Sequence, residues 1–265
     1  MTEPVLHDTL PFAPWLEDRH WRMPGMQALD PTEWLLVDEA FAGQMALRDQ
    51  LIKTRTDDDH ALLPSCAVAA QECLAAVVET LKEAPGYRIF ETSVVRPDGI
   101  QVALNYETPL LTLGRLVQED FCILEPGADG HVLTGAILCF PAGWTLSEKI
   151  GKPLSRIHVP VQLYDEGTER RVQRLFDAVQ PDKPMWRANA LLYNDPDLFA
   201  PRREGEGSRD IPTNPKYLRS ERQTISRLPK TGAVVFGIHT YVVPIERLTN
   251  EQRAGLDRVR ARGIE

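Results

Sequence analysis

Apolar residues recur at helical spacing in two early stretches of the chain. Asp30-Pro31-Thr32-Glu33 reads as a capped helix start, with Asp30 at the N-cap, Pro31 in the first turn and Glu33 completing a capping box. Trp34, Val37, Phe41, Met45 and Leu51 follow near the 3.6-residue period, so one helix is expected from Asp30 onward. A second helix is expected over 65–83, closed by the Pro85-Gly86 turn. Before both lies a segment rich in proline and aromatics (Pro11, Phe12, Pro14, Trp15, Trp21, Pro24), too hydrophobic for a free tail and expected to wrap over a core.

The pattern then shortens. Segments 87–92, 100–105, 116–125 and 132–140 read as strands of an antiparallel meander, separated by turns at Pro97-Asp98-Gly99 and Pro126-Gly127-Ala128-Asp129-Gly130. A helix of one or two turns is expected over 145–150 and an amphipathic helix over 168–179. A strand over 186–193, a loop over 196–215, a strongly β-branched strand over 233–243 and a charged helix over 249–262 complete the chain. The expected fold is α+β: a central antiparallel sheet with helices packed on it, in a single domain spanning 1–265. Its parts are a helical N-terminal portion (about 1–85), a sheet-rich portion (about 86–248) and the C-terminal helix.

Composition narrows the function classes. A formal net charge of −8, with acids interspersed among the arginines, argues against a nucleic-acid footprint. No apolar run approaches the length of a membrane span, and the N-terminus lacks the features of a signal peptide, so a cytoplasmic location is expected. Cys66, Cys73, Cys122 and Cys139 lie in or beside apolar stretches without a CxxC, as buried reduced thiols do. GxGxxG, GxxxxGK[ST], HExxH and GxSxG are all missing from the sequence.

What remains is histidines and polar clusters. His158, flanked by Ile157 and Val159 ahead of Pro160, sits where an inward imidazole ligates a metal or is satisfied as a core histidine. His239 and Tyr241 alternate onto one face of the 233–243 strand and together line a pocket, or else His239 is a half-exposed strand residue. His131, in a turn, is expected to be exposed, and His7, His20 and His60 carry little weight. The densest cluster is 218–229. As a helix it places Arg219, Arg222 and Gln223 on one face and Ser220, Thr224 and Arg227 on another. Its three arginines around the acid Glu221 suit a buried carboxylate clamp, or a surface salt-bridge network. Arg187 and Asn189, two apart on a strand, share a face.

These residues resemble a known family. Arg219-x-Glu221-Arg222-Gln223-x-Ile225-x-Arg227-Leu228-Pro229-x-Thr231-x-Ala233, running into Phe236-x-Ile238-x-Thr240-Tyr241, is similar to the haem-dependent oxidative N-demethylase alpha-subunit-like family. So are 116–124, Phe140-Pro141-x-x-Trp144-x-x-x-Glu148-Lys149-Ile150-Gly151 leading to Ile157-His158-x-Pro160-Val161, and Trp186-Arg187-x-Asn189. The opening Pro11-Phe12-x-Pro14 and Asp30-Pro31-x-x-Trp34 also fit. The chain departs from the family pattern at His239, where the family carries Arg, and at Ala190, where it carries Trp.

The resemblance implies a PAS-like sheet that holds haem b through one histidine. It also implies oxidation of a small secondary amine such as dimethylamine with O2, giving a primary amine and formaldehyde. His158 matches the iron ligand. Glu221, Arg222 and His239 are then the expected catalytic set, with Glu221 receiving the ammonium. Arg219, Arg227, Trp144 and Tyr241 are the expected haem-contacting set, and Trp144, Trp186 or Tyr241 can stack on a cationic amine. The chain carries no flavin, nicotinamide or iron–sulfur motif, so electrons would come from partner flavin or iron–sulfur reductase subunits. The competing expectation is a haem-binding sensor or carrier without turnover of its own.

Overall fold

The computed structural model describes residues 3–21, 24–157, 166–206 and 212–261. His158, the expected iron ligand, lies outside the described residues. The strands are β1 (Gln27–Ala28), β2 (His60–Leu62), β3 (Arg88–Ile89), β4 (Ser93–Val95), β5 (Gln101–Ala103), β6 (Asp120–Gly127) and β7 (Gly130–Ile137). They continue with β8 (Met185–Ala188), β9 (Leu191–Tyr193), β10 (Tyr217–Arg227) and β11 (Val234–Pro244). The helices are α1 (Asp18–Trp21), α2 (Phe41–Thr54), α3 (Thr56–Asp59), α4 (Ala67–Thr80), α5 (Pro109–Leu116), α6 (Leu154–Ile157), α7 (Glu166–Ala178) and α8 (Asn250–Ala261).

The fold is α+β. An antiparallel sheet in the order β1-β8-β10-β11-β6-β7-β2, with β9 also paired to β10, carries helices on both faces. Its spine is the long β10–β11 hairpin, paired from Tyr217↔Pro244 to Arg227↔Val234. Gly237 lets the strands lie close, since a Cβ there would sit 2.6 Å from Thr224 Oγ1. Strict alternation along the hairpin gives each side of the sheet its own chemistry. On the first face lie Ser220, Arg222 and Thr224 opposite Tyr241, His239 and Gly237, continuing to Phe121 and Ile123. Helices α4 and α5 bury their apolar sides here, including Leu74, Val77, Leu110 and Leu113, each fully buried. Each such side chain contributes roughly 1.5–3 kcal/mol of hydrophobic stabilisation. On the second face lie Arg219, Glu221, Gln223 and Ile225 opposite Val242, Thr240, Ile238 and Phe236, continuing to Cys122. Here α6, α7 and the Trp144 loop pack on Cys122, Leu124, Ile225 and Ile238.

Four expectations are corrected. The 218–229 cluster is a strand, not a helix, so its polar residues sort by alternation rather than by turns. The helix expected from Asp30 stops after the single 3-10 turn Pro31–Glu33 and resumes at Phe41. Asp30 caps as expected, accepting from Thr32 N at 2.9 Å, but the Asp38 carboxylate takes Ala40 N–H and reaches into the core instead of letting the helix continue. The 116–125 run begins as the last residue of α5, and only from Asp120 is it a paired strand. The expected meander divides, since β3, β4 and β5 form a separate small sheet while β6 and β7 join the large one. The N-terminal segment does wrap: His7 N donates to Val242 O at 2.8 Å, and Leu10 and Trp15 pack against α8 and the hairpin.

Candidate active site on a two-faced sheet

Because Glu221 and Arg222 are neighbours on a strand, they point to opposite sides of the sheet. The expected catalytic set is therefore split. Glu221 lies on the second face with Arg219, Gln223 and Arg187, whereas Arg222, His239 and Tyr241 lie on the first.

On the second face, Glu221 is buried and its carboxylate is held by amides. Asn189 Nδ2 donates to Oε2 at 2.9 Å and Gln223 Nε2 donates to the same oxygen at 3.0 Å. Asn189 is itself fixed, because its Oδ1 accepts the Glu221 backbone N–H at 2.8 Å. Gln223 is fixed by Arg187, whose Nη1 donates to Gln223 Oε1 at 3.1 Å. Among the described residues, the cation nearest Oε1 of Glu221 is the Arg219 guanidinium, at 3.9 Å. Burial lowers the pKa of Arg187, opposed by the charge of Glu221. Thr240 Oγ1 and Arg187 Nε are buried on this face without a partner. Around this polar corner runs an apolar floor of Cys122, Ile225, Ile238 and half-buried Phe236, with half-buried Trp144 and Ile157 packed against it. Trp144 also lines a cleft of about 210 Å³ with Arg55, Leu138 and Phe199.

Two residues expected to meet the cofactor are otherwise engaged. Arg219, 1% exposed, gives Nη1 to Leu198 O at 2.9 Å and Nη2 to Phe140 O at 2.6 Å. Arg227 gives Nε to Val179 O, Nη1 to Gly232 O and Nη2 to Phe176 O, at 2.6–2.7 Å, closing the C-terminal end of α7. Both guanidiniums satisfy backbone carbonyls left unpaired by helix and loop ends. That use accounts for the burial of Arg227, whereas Arg219 Nε is buried without a partner.

The first face carries a cluster that the sequence pattern did not bring together. His239 Nδ1 is 2.9 Å from Glu119 Oε1 and its Nε2 is 2.9 Å from Asp38 Oδ2, so both ring nitrogens face carboxylates and both donate. Burial by itself would lower its pKa, yet the hydrogen bonds and charges of Asp38 and Glu119 raise it to about 9. Burial likewise works to raise the Asp38 pKa, but bonds to His239 and His7 hold it well below the ordinary carboxylate range. His239, expected either to line a pocket with Tyr241 or to be half-exposed, is buried, with its pKa raised toward the imidazolium. His7, given little weight, closes the cluster: its Nε2 is 2.9 Å from Asp38 Oδ2.

The ligand atoms of His7, Asp38 and His239 lie within 4.8 Å of one another, as those of a metal site would. The hydrogen bonds decide otherwise. Val242 N–H donates to His7 Nδ1 at 3.2 Å, which puts the His7 proton on Nε2, where a metal would need a lone pair. Bonded in this way, the three side chains share protons. Tyr241 stacks within it, 4.9 Å from the His239 ring and 4.7 Å from His7. Arg222 Nη2 donates to Glu33 O at 2.7 Å and its guanidinium lies over Trp186 at 5.3 Å. His131, expected to be exposed, is 3% exposed, its Nδ1 receiving Gln173 Nε2 at 3.0 Å.

The fold and this site define an α+β protein in which one sheet face offers an apolar floor with a buried, amide-held carboxylate. The family described as haem-dependent oxidative N-demethylase, alpha subunit-like, matches residues 25–262. The chain belongs to that family, as the order of motifs along the sequence led us to expect. Among the described residues, no helix is long and apolar enough to cross a membrane.

Proposed function

We propose that this chain is a haem-b-dependent, PAS-like subunit that oxidises a small secondary amine and receives electrons from separate flavin or iron–sulfur reductase subunits. The reaction takes the amine, O2, two electrons and two protons to a primary amine, formaldehyde and water. What supports the second sheet face as the haem side is its chemistry, the apolar floor that α6, α7 and the Trp144 loop now cover. Its floor of Cys122, Ile238 and Phe236 suits a macrocycle, and the polar corner leaves Thr240 Oγ1 and Arg187 Nε without partners. His158 is the residue we assign to the iron. Haem, when bound, supplies dioxygen activation.

The observation that carries this reading is the Glu221 carboxylate. It is buried, held by two amides at one oxygen, and among the described residues has no guanidinium closer than 3.9 Å at the other. A buried carboxylate arranged in this way suits a cationic N–H donor. Glu221 binds and orients the ammonium, and Trp144 and the apolar floor shield it from water. Arg222, His239 and Tyr241 act from the other side of the sheet, as the support on which β11 is held. The test is a single turnover. Haem-loaded, chemically reduced protein is mixed with dimethylammonium and O2, and trapped formaldehyde is measured. Formaldehyde stoichiometric with haem, lost in Glu221→Gln, is expected. A full yield from Glu221→Gln would remove the assignment.

A further inference from the structure

The Glu221 corner contains an arginine that does not touch the carboxylate. Arg187 is directly opposite Gln223 across the β8–β10 pair, which places Glu221 diagonally next to it on the same face. Diagonal neighbours in an antiparallel sheet lie within reach of a long side chain. An arginine that shares a buried face with a carboxylate ordinarily closes on it as a bidentate pair. Here Gln223 stands between them. Its Oε1 accepts Arg187 Nη1 at 3.1 Å and its Nε2 donates to Glu221 Oε2 at 3.0 Å.

We infer that Gln223 is a spacer that holds the Arg187 guanidinium off Glu221, so that among the described residues Oε1 faces only the Arg219 guanidinium, 3.9 Å away and engaged by Leu198 O and Phe140 O, and stays available to a cationic ligand. The chemistry of the amide suits the task. It is neutral, it offers an acceptor to the arginine and a donor to the acid, and its orientation is set from both ends. Asn189 works with it, since its Nδ2 occupies the other lone pair of Oε2 at 2.9 Å. With Oε2 saturated by two N–H donors, one oxygen remains, which matches the single N–H contact of an alkylammonium better than the paired donors of a guanidinium. Gln223 is thus a specificity-determining, positioning residue. Arg187 is the competitor it restrains.

The inference rests on the reading of Glu221 as the amine-binding carboxylate, and the experiment separates the two. Haem-loaded protein is titrated with dimethylammonium chloride by isothermal calorimetry, a readout independent of turnover. The proteins compared are the wild type, Glu221→Gln, Gln223→Ala and the double variant Gln223→Ala with Arg187→Met. Gln223→Ala is expected to bind about tenfold more weakly, the worth of one charge-assisted hydrogen bond, as Arg187 moves onto Glu221. The double variant is expected to recover most of that affinity. Recovery cannot come from a misfolded protein, so it distinguishes a spacer from a merely structural glutamine. Undiminished binding by Gln223→Ala, or a double variant as weak as the single one, would overturn the spacer role alone. No binding by the wild type, or equal binding by Glu221→Gln, would overturn the Glu221 reading and the spacer with it.

Discussion

Replacing His239 with glutamine should remove a proton that the fold holds more tightly than the unfolded chain does. The folded pKa, about 9, lies above the 6.5 of an unperturbed imidazole. A raised histidine contributes its full stabilisation below pH 6.5 and loses it as the pH rises through 9. Across that interval the contribution is ~3 kcal/mol, of which about 2 kcal/mol disappears between pH 6.5 and roughly pH 8.5. No allowance for solvent screening is needed, because the ring is 1% exposed. In the variant, Asp38 and Glu119 lose the imidazolium between them, and breaking such a buried pair costs about 3–5 kcal/mol. Urea unfolding followed by circular dichroism measures both effects. The range should stop below pH 9, because burial raises the Cys66 thiol to about 11 and unfolded thiolates then add their own pH dependence. The wild type should lose stability with pH more steeply than His239→Gln, and the two curves should converge toward alkaline pH. Parallel curves would show that His239 is neutral in the fold and would refute the reasoning.

Other consequences follow from the same structure. Asp59 is fully buried, neither carboxylate oxygen has a partner, and burial, helped by the charges of Asp120 and Asp58, raises its pKa to about 7. A carboxyl raised in the fold penalises folding above its unfolded pKa. Asp59→Asn should therefore stabilise the protein by a few kcal/mol at pH 8 and by almost nothing near pH 3, to order of magnitude, in urea unfolding. Arg227→Met should cost roughly 2–3 kcal/mol by leaving the carbonyls of Phe176, Val179 and Gly232 unpaired, with haem content per folded molecule unchanged. A lower haem content would restore Arg227 to the cofactor. The four cysteines are buried, unpaired and raised in pKa by burial, so a thiol reagent at pH 8 should label them only after unfolding. Rapid labelling of native protein would contradict their burial.

Much of the framework was legible in the chain. The β-branched 233–243 run is β11, the 65–83 pattern contains α4, and the charged C-terminal stretch is α8. The 218–229 cluster was misread for a physical reason. Both faces of β10 are buried and both carry polar residues, so its alternation shows no apolar-in, polar-out signature. Arg219 and Arg222 looked like one site because they are close in sequence, yet an offset of three on a strand puts them on opposite faces. The His7–Asp38–Glu119–His239 cluster left no local signal, since its bonded pairs are separated by 31 to 201 positions. Of its members, His239 is singled out by its strand position and Glu119 lies inside a motif quoted for the family resemblance, whereas His7 carries little weight there and Asp38 none. What points further is Asp38 itself, an acid between the apolar residues Val37 and Phe41 in the stretch expected to be a continuous helix.

The account's central claim is that the sheet face bearing Glu221, and not the face bearing His239, is where amine and haem meet. The most direct measurement is a Soret difference spectrum of ferric, haem-loaded protein titrated with dimethylammonium, for the wild type, Glu221→Gln and His239→Gln, each held below its unfolding transition. The account predicts a saturable spectral change in the wild type and in His239→Gln, and none in Glu221→Gln. A change that survives in Glu221→Gln and vanishes in His239→Gln would place the ligand on the opposite side of the sheet and contradict the account.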